Sequence, residues 1–115
     1  MNVQFKKGVL ELCVLALVAH RDHYGYELVE RISRQIEIAE GTVYPLLRRL
    51  TDEGYFETYL QESTEGPPRK YYRITDLGRS TLHTLRHEWQ QFAAGVSTLL
   101  NEGRTNDEKI GRAHV

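Results

Sequence analysis

Two separated segments of the chain carry the residue types that contact nucleic acids. Residues 41–50 read GTVYPLLRRL, which combines a glycine, two hydroxyl side chains, a proline and two arginines. Residues 66–75 read GPPRKYYRIT, in which two prolines precede Arg69 and Lys70. Guanidinium and ammonium groups bind phosphates, and an arginine also hydrogen-bonds the edge of a guanine. These residue types therefore predict binding of a nucleic acid rather than covalent chemistry.

Catalytic and metal-binding patterns are weak in this sequence. It contains no phosphate-binding glycine loop and no recognisable nucleophile–base pair. His83 and His87 are four residues apart on a predicted helix, and HEWQQ at residues 87–91 begins like a zinc-protease motif. The place of that motif's second histidine is taken by Gln91, and no third ligand is near. We therefore expect no enzyme activity, no metal site and no cofactor.

Composition narrows the class of partner and the cellular compartment. The chain has 115 residues, enough for one folded domain, and a formal net charge of -1, so any basic surface must be local. A single cysteine, Cys13, excludes an internal disulfide and fits a reducing cytosol. Residues 6–20 are basic and then apolar, as in a signal peptide, but Glu11 interrupts the run and no small-residue cleavage site follows. We expect a cytoplasmic protein without a membrane partner.

The spacing of apolar residues predicts how these segments are held. Helical periodicity over the first half predicts three helices, at residues 7–20, 24–36 and 39–53. Gly54 is a good stop for the third of them. Alternation then predicts two strands, at residues 55–61 and 69–75, joined by the turn-forming cluster ESTEGPP. Thr75 is a suitable N-cap for a fourth helix.

The fourth helix should run from Asp76 to about Asn101, and its apolar residues step alternately by three and four positions. This spacing is typical of a coiled-coil seam, which needs a partner helix, so we expect a homodimer. The predicted dimer interface consists of Leu82, Leu85, Trp89, Phe92, Val96 and Leu99. The last residues are polar and without pattern. The predicted organisation is therefore a DNA-binding domain at 1–75, a dimerisation helix at 76–102 and a polar tail at 103–115.

Three helices, a hairpin and a long helix form the order of a winged helix-turn-helix, a mainly α fold with a small two-stranded β-hairpin. Its third helix is the recognition helix, which lies in the major groove of DNA, while the wing follows the backbone. Arg48 lies four residues beyond Tyr44, on the same helix face. Basic side chains of the wing are expected to converge on that face too. The predicted DNA-binding residues are Tyr24, Gly41, Thr42, Tyr44, Pro45, Arg48, Arg69 and Lys70.

Three motifs in this order, YGYELVERI, GTVYPLLRRLTDEGYF and GPPRKYYRITDLG, resemble the PadR family of bacterial transcriptional regulators. The resemblance covers about residues 7–100. It implies a winged helix-turn-helix that dimerises through its C-terminal helix, binds a pseudo-palindromic operator and represses transcription until a small molecule relieves the repression. The link RQIEIAE between the second and third helices is short for this pattern.

Two questions stay open at the level of sequence. Trp89, the single tryptophan, could be an interface residue or could sandwich a small planar aromatic effector with its symmetry mate. The resemblance implies that an aromatic residue here can line a pocket between subunits. If the first helix packs beside the seam, such a pocket would be lined by Leu12, Leu15, Ala16, Trp89 and Phe92. The winged fold could also serve a protein-interaction module that does not bind DNA specifically.

Overall fold

The computed structural model describes the backbone of residues 3–114 and the side chains of residues 8–104. Residues 1, 2 and 115, which belong to the predicted first domain and tail, lie outside the described residues. The elements in chain order are α1 (Val3–His20), β1 (His23–Tyr24), α2 (Gly25–Ser33), α3 (Glu40–Asp52), β2 (Phe56–Ser63), β3 (Gly66–Ile74) and α4 (Asp76–His114). The predicted order of three helices, hairpin and long helix is confirmed.

One core joins α1, the helix-turn-helix and the sheet. The central helix α1 is apolar on more than one side because it is covered by several elements, and its Val14 and Leu15 are fully buried. Helix α3 contributes Val43, Leu47 and Leu50, which recur at helical spacing and have no exposed surface. Burial of these three side chains fixes which face of α3 points to solvent.

The sheet has three strands in the order β1-β3-β2, all antiparallel. Strand β1 was not predicted: its two residues, His23 and Tyr24, pair with Tyr72 and Tyr71 of β3. A strand of this length shows no periodicity in sequence, and it forms only because β3 offers its free edge. The third strand ties the wing to the residues that open α2.

The turn of the wing is shorter than the cluster ESTEGPP suggested. Strand β2 continues to Ser63 and β3 begins at Gly66, so Pro67 and Pro68 lie in a strand rather than in a loop. Proline is tolerated there because β1 pairs only with Tyr71 and Tyr72 of β3, and because the ladder with β2 is irregular between Gln61 and Ser63.

A hydrogen-bonded corner connects the end of α3, the start of β2 and the start of α4. Gly54 has φ 86°, and Tyr55 N–H donates to the Leu50 carbonyl at 3.0 Å, so the predicted glycine stop of α3 is confirmed. The predicted cap is confirmed as well: Thr75 Oγ1 accepts the Gly78 N–H at 3.0 Å and donates to the Gly54 carbonyl at 2.6 Å. A Cβ on Gly78 would collide with the Tyr55 carbonyl, so this corner requires glycine.

Helix α4 differs from the prediction in how its first turns pack and in where it ends. The chain divides into two compact units, residues 1–83 and 84–115, and the first turns of α4 fall in the first unit, whereas the sequence predicted a dimerisation helix from residue 76. Leu82 is 5% exposed and is a core residue of that unit, not a residue of the exposed seam. The helix continues to His114, although a polar tail was expected from residue 103. That segment has no proline, and isolated glycines weaken a helix by about 1 kcal/mol without ending it. No helix of the described residues is long and apolar enough to cross a membrane.

The buried His23 predicts a pH dependence of stability. Burial lowers the pKa of His23, and its Nδ1–H donates to the Arg21 carbonyl at 2.8 Å. Because the folded pKa lies below the unfolded value of about 6.5, the unfolded chain binds the proton first on acidification. The contribution of His23 to the free energy of unfolding should therefore be complete above about pH 6.5, and it should be lost as the pH falls from there through the folded pKa.

Urea unfolding at steps between pH 7.5 and pH 5 measures this dependence. His23→Gln should flatten the profile in that window, where carboxylates contribute little, whereas the same change at the exposed His20 should leave it steep. Equal slopes for wild type and His23→Gln would contradict the assignment.

Candidate nucleic-acid interface

One stripe of α3 points to solvent because the opposite face is buried in the core. Helical spacing of 100° per residue places this stripe opposite Val43, Leu47 and Leu50. Its exposed members are Gly41, Pro45, Arg48 and Asp52. Tyr44, on one flank, is 38% exposed. The stripe presents the guanidinium of Arg48, together with Gly41 and Pro45 in the first two turns of the helix.

Pro45 lies in the second turn of α3, because the helix begins at Glu40, and not in its first turn as the sequence suggested. A proline there has no N–H to donate to the carbonyl four residues earlier, which belongs to Gly41. Crowding does not require glycine at 41, since a Cβ built there meets nothing within 4 Å. The proline is therefore accommodated on the exposed side, where the carbonyl can meet solvent or a ligand.

The side chain of Tyr44 packs across the start of α2. A Cβ on Gly25 would lie 2.8 Å from Cε1 of the Tyr44 ring, so the absence of a side chain at Gly25 makes room for it. Burial raises the pKa of the Tyr44 phenol, and the neighbouring Glu40 and Tyr26 raise it further. The hydroxyl therefore stays protonated and able to donate a hydrogen bond at neutral pH.

Arg49 is committed to contacts within the protein. Its guanidinium lies 3.2 Å from Glu11 of α1 and 2.9 Å from Glu53, one turn further along α3. Thr42 is on the same flank of α3, where it lines a pocket of about 230 Å³ together with Leu10 of α1. This flank faces α1, so Thr42 is less open to a ligand than Gly41 and Arg48 are.

One face of the wing continues the α3 stripe. Alternation along β3 places Lys70, Tyr72 and Ile74 on the face that packs on the core, and Lys70 Nζ lies 5.9 Å from the centroid of the Tyr72 ring. Burial raises the pKa of the Tyr72 phenol; Tyr44 raises it further and the Arg48 guanidinium lowers it. Tyr72 thus links Lys70 to the exposed flank of α3, and we name this side of the wing the inner face.

The opposite, outer face of the wing is closed by a ladder of aromatic rings and arginines. Tyr71 stacks on Tyr59 with centroids 5.5 Å apart and meets Tyr24 edge-on at 5.5 Å. Arg69 covers the Tyr24 ring at 4.6 Å, and Arg73 covers the Tyr59 ring at 4.7 Å. Such contacts contribute about 0.5–1 kcal/mol each at exposed sites. The ladder anchors the wing to β1.

Asp22 completes the outer face from the turn before β1. Tyr59 Oη donates to its Oδ2 at 2.6 Å, and Arg73 Nε lies 3.4 Å from the same oxygen. The hydrogen bond to Asp22 is the main reason why the pKa of Tyr59 is raised. Sequence reasoning missed Asp22 and Tyr59, since nothing local in the sequence relates residues this far apart.

The structure therefore brings together only part of the predicted DNA-binding set. Gly41, Tyr44, Pro45, Arg48 and Lys70 share one side of the first unit. Tyr24 and Arg69 lie on the outer face, because neighbouring residues of a strand point in opposite directions and Arg69 directly precedes Lys70. The expectation that both basic wing residues converge with Arg48 is wrong for this reason.

Comparison with known proteins identifies the family of this chain. The model of the PadR-like family of transcriptional regulators matches residues 14–84, more than half of the chain. The chain belongs to the PadR-like family of transcriptional regulators. A PadR-like regulator from Bacillus cereus has the same fold, with a TM-score of 0.77, 39% identity and coverage of 84% of this chain and 96% of that one.

Two further relatives carry functional descriptions. A transcriptional regulator of Mycobacterium tuberculosis is 30% identical over 81% of this chain and 87% of its own length. The negative transcriptional regulator PadR of Bacillus subtilis is 30% identical over 70% of this chain, and the match spans 47% of that longer protein. Both of these relatives are transcriptional regulators.

The second unit of this PadR-like chain presents an apolar seam on α4. Its exposed large side chains are Trp89, Phe92, Val96, Leu99 and Leu100, while Leu85 is half-buried. The Trp89 and Phe92 rings lie 6.2 Å apart at an angle of 40°. They form a continuous aromatic surface in the single chain.

The α1 residues predicted to line an effector pocket have different environments. Leu15 is fully buried in the core of the first unit and could line a pocket only if that core rearranged. Leu12 is half-buried, and Ala16 lines an apolar groove of about 260 Å³ between α1 and α2 together with Cys13. Burial raises the pKa of the Cys13 thiol, which favours its unreactive protonated form.

The contact between Gly25 and Tyr44 predicts the effect of a methyl group. Gly25→Ala should push the Tyr44 ring away from α2 and lower the free energy of unfolding by about 1–2 kcal/mol, since a well-packed contact is overfilled. The matched control is Gly41→Ala, where the added Cβ meets nothing and a better helix former should be neutral or slightly stabilising.

Urea unfolding of the three proteins, together with the NMR shifts of the Tyr44 ring, measures the difference. Equal midpoints for Gly25→Ala and Gly41→Ala, with an unmoved Tyr44 resonance, would contradict the packing described.

Proposed function

We propose that this PadR-like regulator binds duplex DNA sequence-specifically as a homodimer and represses transcription in the cytoplasm. The observation that carries the proposal is the side shared by the α3 stripe and Lys70: Arg48 and Lys70 flank Tyr72 on one exposed surface of a chain with net charge -1. Helix α3 enters the major groove with Gly41 and Pro45 closest to the duplex.

Within this interface the two cations have different roles. Arg48 projects from the centre of the α3 stripe and hydrogen-bonds a base edge, the usual partner being guanine. Lys70 stands on the inner face of the wing and binds a phosphate, as a flexible point charge does. Tyr44 donates its protonated hydroxyl to the backbone of the duplex. Arg69 and Tyr24 act indirectly, by holding the wing in place from its outer face.

The exposed seam of α4 supports the proposed homodimer. Trp89, Phe92, Val96 and Leu99 recur at the spacing of a coiled coil and remain exposed in the single chain. Two copies joined there present two α3 helices to a pseudo-palindromic operator, with half-sites about 34 Å apart on one face of the DNA. The repressor assignment is supported by the name of the Bacillus subtilis relative.

A small planar aromatic effector between two copies of Trp89 completes the proposal. The adjacent rings of Trp89 and Phe92 provide an apolar, polarisable surface for such a molecule. An effector of this kind regulates only if it binds better to the dimer whose α3 helices are misplaced for DNA. The rival function is a protein-interaction module whose seam binds another protein and whose α3 is indifferent to DNA.

The pair Arg48 and Arg49 separates base reading from surface charge. Arg48→Ala should weaken binding to the preferred duplex by about 10- to 100-fold and relax the base preference at one position. Arg49→Ala removes the same charge from the next residue, but Arg49 is held by Glu11 and Glu53, so base preference should be unchanged. The preferred duplex is obtained by selection from a random library.

Fluorescence anisotropy against that duplex and its single-base variants measures both quantities. Equal losses for the two variants would reject base reading by Arg48. Selection of no preferred duplex by the wild-type protein would favour the interaction module.

The pair Lys70 and Arg69 tests which face of the wing meets DNA. Lys70→Ala should weaken binding to all duplexes alike and reduce the slope of log K against log salt by about one. Arg69→Ala removes a cation from the outer face, so it should weaken binding through a looser wing while leaving the slope unchanged. The same anisotropy titration at four salt concentrations provides the slopes, and a smaller slope for Arg69→Ala than for Lys70→Ala would assign the contact to the other face.

A further inference from the structure

The inner face of the wing carries a large apolar side chain that the core does not cover. Strand register places three pairs on this face: Phe56 with Ile74, Thr58 with Tyr72, and Leu60 with Lys70. The first pair is buried, with Phe56 at 3% and Ile74 at 7% exposure, whereas Leu60 is 71% exposed. Leu60 stands on the core-facing side of its strand, one pair beyond the core, and the described residues 8–104 leave most of its side chain uncovered.

The surroundings of Leu60 favour DNA as that partner. Its cross-strand neighbour is Lys70. The next pair inward contains Tyr72, and the charges of Arg48 and Tyr44 of α3 act on the pKa of its phenol. The leucine therefore continues the interface proposed above and is adjacent to its cations. An apolar side chain beside cations suits a duplex, whose grooves have sugar walls bordered by phosphates.

Acidic residues limit how much of the wing can approach a phosphate backbone. Glu62 and Glu65 are both exposed around the turn. Their carboxylates would be repelled by phosphates, so the pair Leu60 and Lys70 is the outermost part of the inner face that fits the backbone. Strand geometry places it about 7 Å beyond the Tyr72 pair, because each residue advances 3.2–3.4 Å.

We propose that Leu60 packs against the sugar walls of the minor groove next to the major groove entered by α3, and that it makes binding sensitive to the shape of that groove. This inference rests on the proposed function and adds a specificity-determining residue to it. The groove is about 6 Å wide, which admits a single leucine side chain but not the two-stranded wing. Its width and its exocyclic groups depend on sequence, so an apolar contact there discriminates without hydrogen bonds.

The variants that test this are Leu60→Ala, the conservative Leu60→Met, and Gln61→Ala as a matched control. Gln61 is the next residue of the same strand, is exposed, and pairs with Arg69 on the outer face. Binding of full-length proteins to the selected duplex is compared with binding to duplexes in which guanine is replaced by inosine in the wing-proximal flank. This replacement removes the 2-amino group from the minor groove and leaves the major-groove edge unchanged.

Leu60→Ala should lose about 5- to 20-fold in affinity with an unchanged salt slope, because an apolar contact and not a charge is removed. It should also lose the wild-type response to inosine in the flank. Leu60→Met should retain most of the wild-type affinity and most of that response, and the affinity of Gln61→Ala should stay within about twofold of the wild type. Leu60→Ala behaving like Gln61→Ala would overturn the inference, even if Arg48→Ala and Lys70→Ala confirm the DNA interface.

A second copy of this chain is the competing occupant of the inner face. Sedimentation of wild type and Leu60→Ala in the absence of DNA distinguishes it: the inference expects the same oligomeric state, and dissociation of the variant would overturn it. A wild-type protein that selects no duplex at all would overturn the proposed function and this inference together, whereas the other outcomes reject only the role of Leu60.

Discussion

The hydrogen-bonded corner around Thr75 is the constraint on which the rest of the first unit depends. Its hydroxyl caps α4 at Gly78 and also donates to the Gly54 carbonyl, while its own N–H donates to the Tyr55 carbonyl at 3.0 Å. Helix α3 ends at this corner, strand β2 begins there and strand β3 ends there. The angle between α3 and the wing is therefore set by short-range geometry. Glycine is needed at 54 because its φ is positive, and at 78 because a Cβ there would collide with the backbone of Tyr55.

The wing has two faces with different physical roles. On the outer face every long side chain of the ladder contacts another: arginines cover tyrosine rings, and Asp22 accepts the hydrogen bond of Tyr59. On the inner face Lys70 and Leu60 are exposed beyond the core. A face whose groups contact one another is suited to positioning, and a face with an uncovered leucine beside a cation is suited to binding. This division explains why two adjacent basic residues, Arg69 and Lys70, are not equivalent.

Sequence predicted what local physical chemistry determines. The glycine stop at Gly54, the cap at Thr75 and the alternation that buries Tyr72 and Ile74 are all readable from residue type and spacing. Strand β1 and the contact of Asp22 with Tyr59 were not, because they depend on pairing between distant segments. The separation of Arg69 from Lys70 could have been predicted, since strand alternation already requires it. The continuation of α4 past residue 101 was missed because a polar helix has no apolar stripe to indicate it.

The central claim is that one exposed surface, formed by the α3 stripe and the inner face of the wing, recognises a specific duplex. The most direct test is the anisotropy of the full-length protein on its selected duplex and on a scrambled duplex of equal length, at several salt concentrations. The account predicts tight binding that weakens steeply with salt and that favours the selected duplex by at least about a thousandfold at physiological salt. Equal affinity for both duplexes, or no binding at low salt, would contradict it.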